Sequence, residues 1–161
     1  MKKYKHIIFA ILSVFVFMFI SCDSNRVYQK YIKIDNYIWD ADESIEFEFD
    51  IEDTVSIHNL YVNVRHSGRY PFRNLWLFIS STAPNGMTEI DTLECTFADK
   101  SGKWLGDGSG DLWDNKFLWK QFVRFPMQGT YSVKYKQGMR IHFLPGILDV
   151  GFRVEKIDRE F

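Results

Sequence analysis

The chain has 161 residues, with 20 Lys and Arg against 21 Asp and Glu, and an aromatic share of 17%. This near-neutral balance, without a basic run or an interleaved basic and aromatic stripe, argues against a nucleic-acid partner, which needs a phosphate-binding footprint. With only Cys22 and Cys95 present, modification of either one excludes an internal disulfide, and stability must then come from packing.

The N-terminus reads as an export signal: Met-Lys-Lys-Tyr-Lys, an apolar run from Ile7 to Ile20, then Ser21-Cys22. The run is shorter than the ~20 apolar residues that cross a bilayer core. Phe19-Ile20-Ser21-Cys22 resembles the lipobox of bacterial lipoproteins, with Phe where Leu is usual. Residues 1–21 are therefore expected to be a signal peptide, and Cys22 the lipid-modified first residue of the mature chain. The triacyl group of such lipoproteins exceeds the two-chain level at which anchoring becomes stable. Loss of Lys2, Lys3 and Lys5 with the leader leaves 17 basic against 21 acidic residues, a mature net charge of −4.

Residues 22–30 are polar and read as a lipid-anchored tether, followed by one domain over 31–161. Ser44 to Glu52 alternates cleanly, with Ile45, Phe47, Phe49 and Ile51 opposite Glu46, Glu48, Asp50 and Glu52, which predicts a strand with one buried face. Its acidic row lies too far apart along the strand to share one ion, and reads as a solvated face. Ile57 to His66 alternates likewise, and Ser67-Gly68-Arg69-Tyr70-Pro71 turns the chain. Leu75-Trp76-Leu77-Phe78-Ile79 is apolar throughout, as expected of a strand covered on both sides.

Pro84-Asn85-Gly86 predicts a turn joining Arg73–Thr82 and Met87–Ala98 in a hairpin, with Leu93, Cys95 and Phe97 facing in. Cys95 in that phase is a buried apolar residue rather than a nucleophile. Asp99 to Asp114 carries four glycines and two tryptophans and reads as a long crossover. Lys116 to Phe125 is aromatic-rich and assigned as strand. Thr130–Lys136 alternates again, and after Pro145-Gly146 a last strand places Leu148, Val150, Phe152 and Val154 on one face. The sum is an all-β fold, an antiparallel β-sandwich of jelly-roll or immunoglobulin-like type with about 7–9 strands.

With these elements in order, the chain resembles the gliding-motility lipoprotein family GldH of the Bacteroidota, nearly end to end. The resemblance rests on the lipobox, Asn59-Leu60-Tyr61, Tyr70-Pro71-Phe72, Asn74-Leu75-Trp76-Leu77 and Asp91-Thr92-Leu93-Glu94. It continues through Ala98-Asp99-Lys100, Gly102-Lys103-Trp104-Leu105-Gly106, Phe125-Pro126, Met139-Arg140, Leu144-Pro145-Gly146-Ile147 and Asp149-Val150-Gly151. It implies a cell-envelope lipoprotein needed for gliding, a process tied in these bacteria to type IX secretion of surface adhesins, and it implies no catalytic residues. By analogy with Bacteroidota lipoproteins sent to the cell surface by acids after the cysteine, Cys22-Asp23-Ser24-Asn25-Arg26 favours the periplasmic leaflet of the outer membrane.

No reaction motif emerges. Asp107-Gly108-Ser109-Gly110-Asp111 lacks the spacing of a nucleophile elbow and of a calcium loop. Gly102-Lys103 lacks the rest of a phosphate loop. His58, His66 and His142 lie on different segments with no ligand spacing, so no metal and no cofactor are expected. Among Asp99, Asp107, Asp111 and Asp114, turn roles are favoured over a shared calcium. Trp119 reads as core. Trp104 and Trp113, with Lys103, Asp107 and Asp111 and the turn residues Tyr70 and Arg73, form the candidate interaction surface. The expected role is non-catalytic contact with envelope proteins of the gliding or secretion machinery. The alternative is a glycan- or peptidoglycan-binding lipoprotein, which coplanar exposed tryptophans would favour.

Overall fold

The computed structural model describes residues 25–157; the expected signal peptide and Cys22 lie outside the described residues. Eight strands have seven or more residues: β1 (Arg26–Lys33), β3 (Ile45–Ile51), β4 (His58–Ser67), β5 (Asn74–Thr82), β6 (Thr88–Thr96), β8 (Leu112–Val123), β9 (Gly129–Gln137) and β11 (Ile147–Lys156). Three more, β2 (Ile38–Asp40), β7 (Asp107–Ser109) and β10 (Phe143–Pro145), have three residues each. They form a five-stranded sheet ordered β1-β11-β4-β8-β7, a four-stranded sheet ordered β3-β9-β5-β6 and a β10-β2 pair, all antiparallel. This is the expected all-β sandwich.

The alternating patterns explain why the two large sheets face each other. In β3, Ile45, Phe47, Phe49 and Ile51 are buried and the acids between them are exposed. From β9 come Tyr131, Val133 and Tyr135, and from β5 Leu75, Leu77 and Ile79. The opposing sheet contributes Leu60, Val62 and Val64 of β4 and Val150, Phe152 and Val154 of β11. Aromatic rings fill the gap: Phe152 lies 5.2 Å from Phe49 and 6.0 Å from Phe47, and Phe47 lies 5.1 Å from Tyr135. Cys95 is fully buried in the same core, and burial raises its thiol pKa well above the ordinary range, which leaves it unreactive.

Several expectations are corrected. The first strand begins at Arg26, because Arg26–Lys33 pairs with β11; residues 26–30 are strand rather than tether. The β5 run is covered on one side only: Trp76 and Phe78 are 39% and 50% exposed on the outer face. In β11 a bulge between Ile147 and Asp149 displaces Leu148, and Ile147 takes the fully buried position instead. The stretch Asp99–Asp114 is not one open crossover. It folds into two tight turns, the second being the β7–β8 hairpin.

Strand directions give the sandwich two distinct ends. At one lie the start of β1, the β3–β4 connection, the Pro84-Asn85-Gly86 turn, the β8–β9 connection and the end of β11. At the other lie Ser67–Arg73, the two turns of 99–114, and the β2–β10 pair. A ten-residue strand such as β4 separates them by about 30 Å.

Replacing Phe47 by Ala removes a ring that touches both sheets and should lower stability by about 3–5 kcal/mol. Phe78→Ala, on the outer face, should cost about 1 kcal/mol. Urea unfolding midpoints of the two variants check the contrast.

Candidate functional site

The candidate residues chosen from the sequence gather at the end opposite the first residue of β1. The first turn of the glycine-rich stretch is built by Asp99, whose Oδ1 accepts hydrogen bonds from the Ser101 and Lys103 amides at 2.8 and 3.0 Å and from the Ser101 hydroxyl at 2.6 Å. These bonds hold its carboxyl below its ordinary pKa. An Ala98–Trp104 bridge and a Leu105 amide bond to the Phe97 carbonyl close the turn. The second turn is made possible by Gly110 at φ +64°. Gly108 lies directly under the Trp113 ring: a Cβ there would come within 2.7 Å of it.

Trp104 and Trp113 are half-buried, with ring centroids 6.4 Å apart and planes inclined by 41°. They do not present one flat exposed surface. Trp104 covers His66, at 4.7 Å between centroids, and Phe97 flanks the same imidazole at 4.5 Å. His66 is fully buried; its Nδ1 lies 2.9 Å from the Ser67 carbonyl, an acceptor only, so the neutral ring carries its proton there. Its Nε2 has no hydrogen-bond partner among the described residues. Sequence alternation placed His66 on a strand; only the fold reveals that it seats the tryptophan loop.

Tyr70 is corrected from surface to core. It is 4% exposed, packs on Phe97 at 5.2 Å and donates its hydroxyl to the Asn74 carbonyl. Burial raises its phenol pKa well above the ordinary value. Lys103, Asp107, Asp111 and Arg73 are exposed. Asp111 also fixes the turn, its carbonyl accepting the Gly68 amide at 2.8 Å. Gly146 ties this region to the β2–β10 side, donating to the Tyr37 carbonyl and accepting from the Ser67 amide. The loops of this end are thus hydrogen-bonded into one platform. Leu105, Tyr37 and Phe143 stand out from it, each more than half exposed.

Of the four aspartates weighed for calcium, Asp107 and Asp114 are cross-strand partners in the β7–β8 hairpin, whereas Asp99 belongs to the other turn. Asp99 serves its own turn, and Asp114 pairs with Arg65 at 2.9 Å on the outer face of the larger sheet. Trp119 is half-buried against Phe152 at 6.3 Å, and its indole nitrogen donates to Asp91 at 3.0 Å. A cluster unseen in the sequence does form: His142 Nε2 lies 3.1 Å from Asp40 Oδ1 and 3.6 Å from Asp42 Oδ2. Its donor atoms lie within 4.8 Å of one another, close enough to hold a cation. Asp40 Oδ1 also accepts the Asp42 amide, and the group rims the same platform.

Comparison with known proteins gives a consistent picture. The family model described as GldH lipoprotein matches residues 26–154. A protein of Christiangramia forsetii named as a gliding motility lipoprotein GldH homolog is 39% identical over 158 residues, covering 91% of this chain and 96% of that protein. The gliding motility lipoprotein GldH of Flavobacterium johnsoniae is 36% identical over 155 residues, covering 92% and 96%. Among solved structures, a family GH115 4-O-methyl-alpha-glucuronidase aligns with a TM-score of 0.45 at 12% identity. That alignment covers 86% of this chain and 18% of the enzyme, a likeness too distant to bear on function.

The buried imidazoles of His58 and His66 are held below their ordinary pKa of 6.5, chiefly by desolvation. Below 6.5 the unfolded chain therefore binds more protons than the folded one, so this contribution to stability is complete above that value and is lost as pH falls. The urea midpoint should drop between about pH 7 and pH 5, and His66→Leu should flatten part of that slope while His58 retains the rest. An identical slope in the variant would contradict the buried neutral state of His66.

Proposed function

Because the chain belongs to the GldH lipoprotein family, we propose that it is a non-catalytic component of the gliding apparatus, acting by protein contact through the platform that bears Lys103, Trp104 and Trp113. The observation that carries this reading is the position of the platform. It occupies the end of the sandwich away from the residue where the lipid-bearing segment enters the fold, and so faces away from the anchor. Apolar side chains in a charged rim are the usual composition of a protein-binding patch. Here Leu105 and Phe143 stand among Lys103, Asp107, Arg73 and Asp42. The tilt and half-burial of Trp104 and Trp113 fit loop-pinning rather than a sugar-stacking surface.

On this reading Cys22 carries the lipid, and the anchor belongs in the periplasmic leaflet of the outer membrane, since a single acid and then Arg26 follow the cysteine. The link to type IX secretion of adhesins is part of the same proposal. Envelope proteins of that machinery are the expected partners.

The test leaves the tryptophans in place, because they pack the loop. Charge reversal at two exposed positions, Arg73→Glu with Lys103→Glu, should shift stability by no more than about 0.5 kcal/mol each. In a gliding host it should abolish spreading and the recovery of motility or secretion proteins in crosslinked pull-downs. Normal spreading and adhesin secretion in the folded variant, or retention of glycan fragments in place of protein, would refute the reading.

A further inference from the structure

The opposite end of the sandwich carries a feature that the proposed contact does not use. An apolar cleft of about 450 Å³ opens between the two sheets, walled by the β5–β6 turn at Ala83 and Met87, the end of β8, and residues 124–127. Its floor is Phe49, Leu60 and Phe125. That volume is within the ~300–1,000 Å³ of small-ligand sites, which are likewise mostly apolar with few polar groups. Polar groups at the rim are largely paired: Trp119 with Asp91, and Lys120 with Glu89 at 2.7 Å. Arg124 is exposed, and its side chain has no hydrogen bond or ion pair among the described residues.

Exposed apolar side chains stand at this end as well as on the platform. Val55 is 76% exposed, Met87 65% and Phe122 56%. Phe122 takes φ +58°, a costly conformation for a residue other than glycine, and its amide is held by the Asn59 side chain at 3.1 Å. Water would not favour such an array.

The tether says what covers it. Four residue steps separate Cys22 from Arg26, at most about 14 Å of extended chain, and Arg26 enters the fold at this end beside Glu155 of β11. We infer that this end of the sandwich lies on the bilayer and that its cleft takes an acyl chain of a membrane phospholipid, with Arg124 at the headgroup. The inference rests on Cys22 being the lipidated residue. The charge and apolar surface fit: methionines at Met87 and Met127 adapt to a flexible chain, and an unpaired guanidinium suits a phosphate.

The test uses the full lipidated protein in nanodiscs of phosphatidylethanolamine and phosphatidylglycerol. Mass analysis of its N-terminal peptide first establishes the acylated cysteine, so that failure of the anchor is read separately. Bimane on Met87→Cys or Val55→Cys should be quenched by lipids brominated on the acyl chain, and bimane on Leu105→Cys, at the far end, should not; Cys95 is buried and does not label. A phospholipid with a photoreactive acyl chain should crosslink to residues 119–127. The crosslink should be lost in Ala83→Phe and weakened in Arg124→Glu, with folding of each checked by urea midpoint. Equal quenching at Met87 and Leu105 would overturn the orientation. Absence of crosslinks from residues 119–127 in the unsubstituted protein, or occupation of the cleft by the protein's own N-terminal acyl group, would overturn the phospholipid assignment.

Discussion

Packing of Phe152 against Phe47 and Phe49 is the interaction on which the rest of the molecule depends. The three rings come from β11 and β3, strands in different sheets, and with Cys95 a free thiol such packing, together with the Trp119–Asp91 and Lys120–Glu89 contacts, joins the two sheets. Phe152 sits next to the center of the larger sheet, between β1 and β4, so its seat also fixes where β1 begins. The polar outer face of that sheet is then free to form side-chain ladders: Arg65 bridges Asp114 and Asp149, and Lys116 reaches Glu155. Burial raises the pKa of Asp149 and Arg65 opposes the rise, so the ladder depends on position as much as on charge.

Two open strand edges remain on one side of the sandwich, β6 in one sheet and most of β8 in the other. Unpaired edges invite association. Here they are blunted by charge and irregularity: Glu89 and Lys120 bridge them, the β4–β8 register shifts at Leu60, and Phe122 departs from strand geometry. These devices also shape the apolar cleft. Protection of the edge and formation of the cleft are thus one piece of local structure.

Much of this was legible in the sequence, and the exceptions have physical causes. Strands with one wet face, such as β3 and β9, declare themselves because alternation records burial directly. Alternation fails where exposure is not polar: Trp76 and Phe78 look buried because nothing local tells an outward aromatic from an inward one. It fails for β1, where Lys30 stands opposite the core residue Phe152 at a sheet edge and can reach water from there. Glycines at 106, 108 and 110 suggested an open crossover, but they serve close approach and a tight turn. The site was half legible. Lys103, Asp107, Asp111 and Arg73 are exposed together at one end, whereas Tyr70 folds inward, and the His142 cluster arises from residues about a hundred positions apart that no spacing rule joins.

On the proposed reading the two ends of the sandwich divide the work, one toward the anchor and one toward a partner. The most direct measurement is photocrosslinking in living cells with benzoylphenylalanine at Leu105 on the platform and at Met87 beside the cleft. The account predicts a discrete adduct with a motility or secretion protein from position 105, and lipid adducts without a protein band from position 87. A protein adduct from position 87 with none from position 105 would contradict it.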